Sequence, residues 1–281
     1  MLKIAYPDFI GTKFIGSTMS NRSILMLKVG RGEKGIIMTG GVHGRESINP
    51  VVLMAMIEYY AYAYSDPIEQ ASIKNKTGVD IKEFFEEYSL YIVPLLNPDG
   101  YMIALRGYNI IHNEECRMKA KSLNIPYCEW KGNALGIDIN RNFPSKNFKE
   151  KFEGDMPASE LETKALIHLF HEVDSEIYID FHSRGNEIFY HRKQMSKEYN
   201  ENSLCIARKI ARVTGYSLVR PEDEIESNDS GGNTVHYYSE TFKKPAITIE
   251  TVPDPAKFPL ALKYQRMVYS QVLYVPFCLM D

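Results

Sequence analysis

The stretch "KGIIMTGGVHGRES", residues 34–47, decides how the rest of the chain is read. Its apolar run at 36–38 is short and closes on Gly40-Gly41. A brief apolar run bounded by glycine fits a strand buried on both faces. The glycines allow the backbone to turn sharply. His43 and Glu46 then follow, three residues apart. They stand just past the carboxyl end of a strand, where ligands bind in open α/β sheets.

Alone, H-x-x-E carries little weight. With 7 His and 24 Glu in 281 residues, about 0.6 such pairs are expected by chance. The chain has two, His43/Glu46 and His112/Glu115. Residues 106–135 have weak periodicity, scattered charge and Pro126, so they read as a long loop. His112 in that loop reads as a solvated histidine. His168 and His171 lie i, i+3 on a helix and read as ordinary helix residues. His171-Glu172 does not make H-E-x-x-H, because position 175 is serine.

A catalytic zinc takes three protein ligands and keeps one position open. With two from one loop, the third should come from another strand end. His182 ends the apolar run "EIYIDFH", and Glu250 ends "AITIE". A carboxylate beside such a metal can act as a base toward water. Each residue alone fits a solvated rim position. Three strand ends delivering them together favour a metal site of His43, Glu46 and His182 with Glu250 beside it.

Outward from this frame, strands alternate with helices. "SILMLKVG" (23–30) and "KGIIMTGG" (34–41) read as a hairpin turned at "RGEKG". Residues 49–64 read as a buried helix, and 89–101 as a strand leaving through Pro-Asp-Gly. Residues 159–173 form a helix with a Ser159/Glu162 capping box and a Leu161, Ala165, Leu169, Val173 stripe. Strands at 176–183 and 245–250, a possible strand at 186–191, and helices at 204–215 and 260–275 complete the reading. A short helix follows "SNDSGGN". The pattern implies an α/β domain with a mixed sheet covered by helices on both faces. With no repeat, low-complexity tract or linker, 1–281 reads as a single domain.

Composition narrows the function classes. A net charge of -3 with 25% charged residues gives no nucleic-acid footprint. The longest strongly apolar run, "VVLMAMI" (51–57), is too short to cross a bilayer. Asp8 and Gly11 interrupt any signal-peptide core in "MLKIAYPDFIGTK". Cys116, Cys128, Cys205 and Cys278 include no C-x-x-C pair and read as free thiols. A Cys116–Cys128 disulfide is the alternative for an exported protein. The expected location is cytoplasmic.

With these pieces assembled, the chain resembles the zinc carboxypeptidases of the carboxypeptidase A type. "HGRES" (43–47), "NPDGY" (97–101), "GIDINRNFP" (136–144), "DFHS" (180–183), "SGG" (230–232) and "ITIE" (247–250) occur in the family's order and span 208 of 281 residues. The resemblance implies that family's mixed eight-stranded sheet between helices and one zinc ion per chain held by His43, Glu46 and His182. It implies Glu250 as general base and proton shuttle. It gives Asn140 and Arg141 the substrate's terminal carboxylate, a task suited to a planar guanidinium. Asp138 would orient His43, since a metal-bound imidazole needs its tautomer fixed. "NPDG" reads as a structural turn. Two positions depart from the family. Lys131 stands where an arginine usually polarises the scissile carbonyl; it could act there as a point charge. Ser227 stands where the digestive enzymes carry a mobile tyrosine, leaving Tyr237 and Tyr238 among the untested candidates for that role.

"WKGN…GIDINRNFP", "DFHSRGNEIFY" and "TGYSL…SGG" look like the bacterial γ-D-glutamyl-L-diamino acid peptidases. Those cut peptidoglycan stem peptides between γ-D-glutamate and meso-diaminopimelate. The side-chain end of diaminopimelate carries an amine and a carboxylate, which Arg141 could grip. The expected partner is therefore a peptide or muropeptide substrate, with no nucleic acid and no membrane. The alternatives are a carboxypeptidase acting on ordinary C-termini, an N-acyl amino acid deacylase on the same scaffold, and a non-catalytic protein with a decayed site.

Overall fold

The computed structural model describes residues 2–151, 153–224 and 231–279. Eight strands build one mixed sheet: β1 (Ile10–Ser17), β2 (Ser23–Gly30), β3 (Lys34–Gly40), β4 (Tyr88–Val93), β5 (Ser175–Ser183), β6 (Glu187–Phe189), β7 (Ser217–Leu218) and β8 (Ala246–Thr251). Their order is β1-β2-β4-β3-β5-β8-β6-β7. β4, β3, β5 and β8 run parallel through the centre, while β1 and β2 are antiparallel at one side. The helices among the described residues are α1 (Leu2–Ala5), α2 (Ile48–Ser65), α3 (Pro67–Thr77), α4 (Ile81–Glu87), α5 (Pro98–Arg106), α6 (Glu114–Ser122), α7 (Leu161–Glu172), α8 (Lys197–Thr214), α9 (Thr234–Phe242) and α10 (Lys263–Val272). No helix of the described residues is long and apolar enough to cross a membrane.

Successive strand residues face opposite sides, and β3 uses both. Ile36 and Met38 pack with residues of α2, α4, α8 and α10, while Ile37 packs with residues of α7 and α9. All three are fully buried. Burying each such side chain contributes about 1.5–3 kcal/mol. That is why an uninterrupted apolar run sits at the middle of a two-faced sheet.

The expected hairpin between residues 23–30 and 34–41 does not form. β4 lies between β2 and β3. The intervening turn bonds elsewhere: Arg31 and Gly32 donate their N–H groups to Phe85 O. A strand buried on both faces needs a neighbour on each edge, and β4 and β5 supply them for β3. β2 instead makes its hairpin with β1. The strand expected over 89–101 stops at Val93, and "NPDG" opens α5: Asn97 caps it, accepting from Gly100 N at 2.8 Å. The loop expected over 106–135 contains α6 and two short 3-10 turns, with Trp130 buried against Ile103, Ile111 and Ala120. The Ser159/Glu162 capping box is absent. α7 starts at Leu161, Ser159 Oγ donates to Glu160 Oε1 at 2.7 Å, and Glu162 is buried. Leu161 therefore leaves the apolar stripe and is 42% exposed. All four cysteines are free.

Two backbone details place the site. Gly41 turns the chain out of β3 with φ +62, a conformation that favours glycine. Gly44 then passes so close to α5 that a Cβ there would lie 2.3 Å from the Gly100 carbonyl carbon. Asn97 Nδ2 donates to Val42 O and Gly132 O, both at 3.1 Å. "NPDG" is thus the brace against which the "HGRE" loop and the 130–137 segment are packed.

Candidate metal centre and active-site cleft

The parallel centre of the sheet brings the carboxyl ends of β3, β5 and β8 side by side. His43 and Glu46 share the tight loop after β3, where Glu46 N donates to His43 O at 3.2 Å. His182 and Glu250 are register partners on β5 and β8. Ligand atoms of His43, Glu46 and His182 all lie within 4.8 Å of one another, and the three residues are buried. Glu46 Oε1 is 2.6 Å from His43 Nδ1, and its Oε2 is 3.3 Å from His182 Nδ1. Glu46 Oε2 also accepts the Ser183 N–H at 3.1 Å, which fixes the carboxylate.

The outer nitrogens of both rings are committed. His43 Nε2 is 3.2 Å from Asp138 Oδ1, and His182 Nε2 is 2.9 Å from Asp180 Oδ2. Each aspartate places the hydrogen on Nε2 and leaves the Nδ1 lone pair for a metal. The two Nδ1 atoms then face each other at 3.2 Å. Two lone pairs and a carboxylate converging on one buried point make a set that fits zinc. With no metal between them, burial opposes the charge of Glu46, but positive charge on His43 and His182 outweighs it and holds the carboxyl far below the usual range.

Asp180 was not among the residues expected at the site. It is fully buried and also accepts from Thr39 Oγ1 at 2.6 Å and from Thr234 Oγ1. A signal for it exists in "DFH". Residues two apart on a strand share a face, so Asp180 and His182 were bound to lie together.

Glu250 stands beside the donors with its Oε2 buried and without a hydrogen-bond partner. Burial pushes its carboxyl up to about 8, with Glu46 and Asp180 adding and His182 and Lys131 opposing. A carboxylate poised near neutrality is suited to proton transfer. Lys131 lines the same cleft and pairs with Asp138 Oδ2 at 2.8 Å. It reaches the site as one end of a Lys131–Asp138–His43 chain. Burial opposes the charge of Asp138, yet His43, Lys131 and Arg141 together hold its carboxyl well below the usual carboxylate range.

Asn140 and Arg141 lie on the 3-10 turn Ile139–Arg141, capped by Asp138, which accepts from Asn140 N at 3.0 Å. Asn140 Oδ1 accepts Thr234 N at 3.0 Å, tying this turn to the start of α9. Both residues line a cleft of about 660 Å³ together with His43, Glu46, His182 and Glu250.

Other candidates fall away from the cleft. His112 and Glu115 are exposed outside it. His168 is exposed, and His171 Nε2 meets Tyr237 OH at 3.1 Å. Tyr237 and Tyr238 are buried in the core under α9, so neither offers the substrate contact considered for it. Ser227 and Ser230 lie outside the described residues.

The family model described as zinc carboxypeptidase matches residues 1–265. Among curated relatives, gamma-D-glutamyl-L-diamino acid endopeptidase 1 of Lysinibacillus sphaericus is 24% identical over 263 residues, covering 89% of this chain and 62% of that protein. Human mast cell carboxypeptidase A is 27% identical over 220 residues, covering 73% of this chain and 48% of that protein. The chain thus spans between about half and three fifths of the lengths of these two relatives. The crystal structure of thrombin activatable fibrinolysis inhibitor superposes with a TM-score of 0.78 at 21% identity, covering 99% of this chain and 70% of that one, which is a likeness of fold. A match along nearly the whole chain, on a fold that gathers a zinc-fitting donor set at one sheet edge, makes this chain a member of the zinc carboxypeptidase family.

Proposed function

We propose that this chain is a zinc-dependent peptidase. It would hydrolyse the amide bond to a residue with a free carboxylate, and its substrate would be the γ-D-glutamyl–meso-diaminopimelate unit of peptidoglycan peptides. The observation that carries the reading is the buried, unpartnered Oε2 of Glu250 beside the His43, Glu46 and His182 donors. When bound, zinc supplies Lewis-acid chemistry, polarising a carbonyl and acidifying water. Glu250 takes the proton from the attacking water and returns it to the leaving nitrogen. Positive charge from Lys131 counters its burial and favours the ionised base, and a bound cation would act in the same direction. Lys131 offers a point charge to the developing oxyanion. Arg141, with Asn140, receives the carboxylate next to the scissile amide. Asp138 and Asp180 hold the two imidazoles in their metal-binding tautomers.

The muropeptide substrate is supported by the similarity to the Lysinibacillus endopeptidase and by the charge of the cleft. Seven Lys and Arg side chains line it against five acidic ones. The test is incubation of the zinc-loaded protein with L-Ala-γ-D-Glu-meso-diaminopimelate, ordinary C-terminal peptides and N-acyl amino acids, with mass detection of products. Release of diaminopimelate supports the reading. Cleavage of ordinary C-termini alone would assign a conventional carboxypeptidase, and release from N-acyl amino acids alone would assign a deacylase.

A further inference from the structure

Of the four arginines that line the cleft, Arg45, Arg141, Arg184 and Arg192, only Arg192 is buried, and the mechanism above does not use it. Arg192 is 3% exposed, yet it lines the cleft with Glu224, His236 and Thr248. Its Nη1 donates to Glu224 Oε1 and, at 2.6 Å, to His191 O. Its Nη2 donates to Ala246 O at 2.9 Å. Its Nε has no hydrogen-bond partner. A buried guanidinium with an unmet donor is costly unless a further acceptor meets it.

Its position gives the cleft depth. Arg192 is bonded at Ala246, the first residue of β8, while Glu250 lies near the end of that strand. Four residues of strand span roughly 13 Å. Thr248 and Glu250 share a face of β8 and both line the cleft, as does Phe189, the register partner of Thr248. The wall therefore runs from the reacting end at Glu250, past Thr248 and Phe189, to Arg192. It can receive a side chain several carbons long.

His236 completes the far end. Asn147 Oδ1 accepts from Ser145 Oγ at 2.6 Å, which leaves Asn147 Nδ2 to donate to His236 Nδ1 at 3.0 Å. The histidine hydrogen is therefore on Nε2. Burial, with Arg192 and Arg141 nearby, pushes the His236 value down to about 3, so the ring is neutral and serves as a donor. A pocket for an apolar side chain would not end in an Arg–Glu pair. A pocket for a lysine side chain would not place a guanidinium beside the ammonium.

We propose that Arg192, Glu224 and His236 form a second reading site, for an amino-carboxylate group at the end of the side chain of the residue that hydrolysis releases. Arg192 and His236 take its carboxylate, and Glu224 takes its ammonium. Arg141 is then left for the carboxylate next to the scissile amide, so the side-chain end goes to Arg192 rather than to Arg141. This rests on the peptidase reading above and narrows its substrate class to diamino diacids such as meso-diaminopimelate.

The test measures binding of free amino acids to the zinc-loaded full chain by calorimetry. The probes are meso-diaminopimelate, L-2-aminopimelate, which lacks the distal ammonium, and L-lysine, which lacks the distal carboxylate. Diaminopimelate should bind about 10- to 100-fold more tightly than lysine, the range of charge-assisted hydrogen bonds. Arg192→Gln should bring diaminopimelate down to the affinity of lysine. Glu224→Gln should weaken diaminopimelate but not aminopimelate. Arg192→Gln also removes a charge partner of Glu224, so an Arg192→Met/Glu224→Met pair, checked for folding by its Tm, repeats the comparison with both charges of the pair removed. Equal binding of diaminopimelate and lysine by the unmodified protein would overturn the proposal. So would parallel loss of both ligands in the folded double variant. Arg192-dependent discrimination without cleavage of γ-D-glutamyl-diaminopimelate would sink the peptidase substrate and leave this site standing. Cleavage without discrimination would do the reverse.

Discussion

His182 and Glu250 face each other in register on the adjacent parallel strands β5 and β8. Neighbouring strands lie about 4.8 Å apart, so the His182 imidazole and the Glu250 carboxyl are juxtaposed by backbone pairing alone. β3, on the other side of β5, delivers His43 and Glu46 to the same edge.

Glu250→Gln should keep zinc and lose turnover. The amide preserves shape and cannot accept the proton, and general-base contributions run about 10²–10⁴-fold. Zinc content by mass spectrometry should equal that of the unmodified protein, while kcat falls by at least 100-fold. Activity within tenfold of the original would remove Glu250 as the base.

Asp180→Asn should weaken zinc binding about 10- to 100-fold, the usual effect of losing a carboxylate behind a ligating imidazole. The same carboxylate anchors Thr39 and Thr234, so the Tm should fall as well. Competition with a fluorescent chelator gives the zinc Kd. An unchanged Kd would show that the tautomer of His182 does not depend on Asp180.

Lys131→Met should shift the acid limb of kcat/KM to higher pH. Lys131 lowers the Glu250 carboxyl, so removing its charge raises the pH at which the base ionises. Lys131→Arg should restore the limb. A profile that loses height without moving would confine Lys131 to the oxyanion and to its contact with Asp138.

Glu162 supplies a pH signature of stability remote from the reaction. Burial, with Glu160 and Asp99 adding, pushes its folded value from 4.5 up to about 7. The folded state therefore holds a proton that the unfolded state has released. Stability should fall as pH rises from about 4.5 to about 7 and stop changing on this account above that. The effect is on the order of 3 kcal/mol at most. Glu162→Gln should flatten that part of the Tm–pH curve; the same slope in the variant would assign it to other groups.

Much of the candidate site was legible because its residues are punctuated locally. Gly40-Gly41 before His43, and the ends of "EIYIDFH" and "AITIE", mark strand termini by composition alone. Asp180 was equally legible through its two-residue spacing to His182. The far end of the cleft was not. Arg192, Glu224, His236 and Asn147 are scattered over 90 positions, each with an ordinary polar neighbourhood in sequence. Only the pairing of β6 with β8 and the docking of α9 bring them together.

The sequence by itself determined the alternation of strands and helices, the buried character of β3, and the strand ends that carry His43, Glu46, His182 and Glu250, because periodicity and glycine punctuation act over a few residues. The tertiary structure decided what depends on contacts between distant segments. It set β4 between β2 and β3, because a strand buried on both faces needs a partner on each edge. It made "NPDG" a helix cap whose Gly100 admits Gly44 at backbone distance. It removed Tyr237 and Tyr238 from the cleft, because the face of α9 that carries them packs into the core. And it buried the Arg192 guanidinium against the cleft, since no local pattern encodes which arginine is buried there.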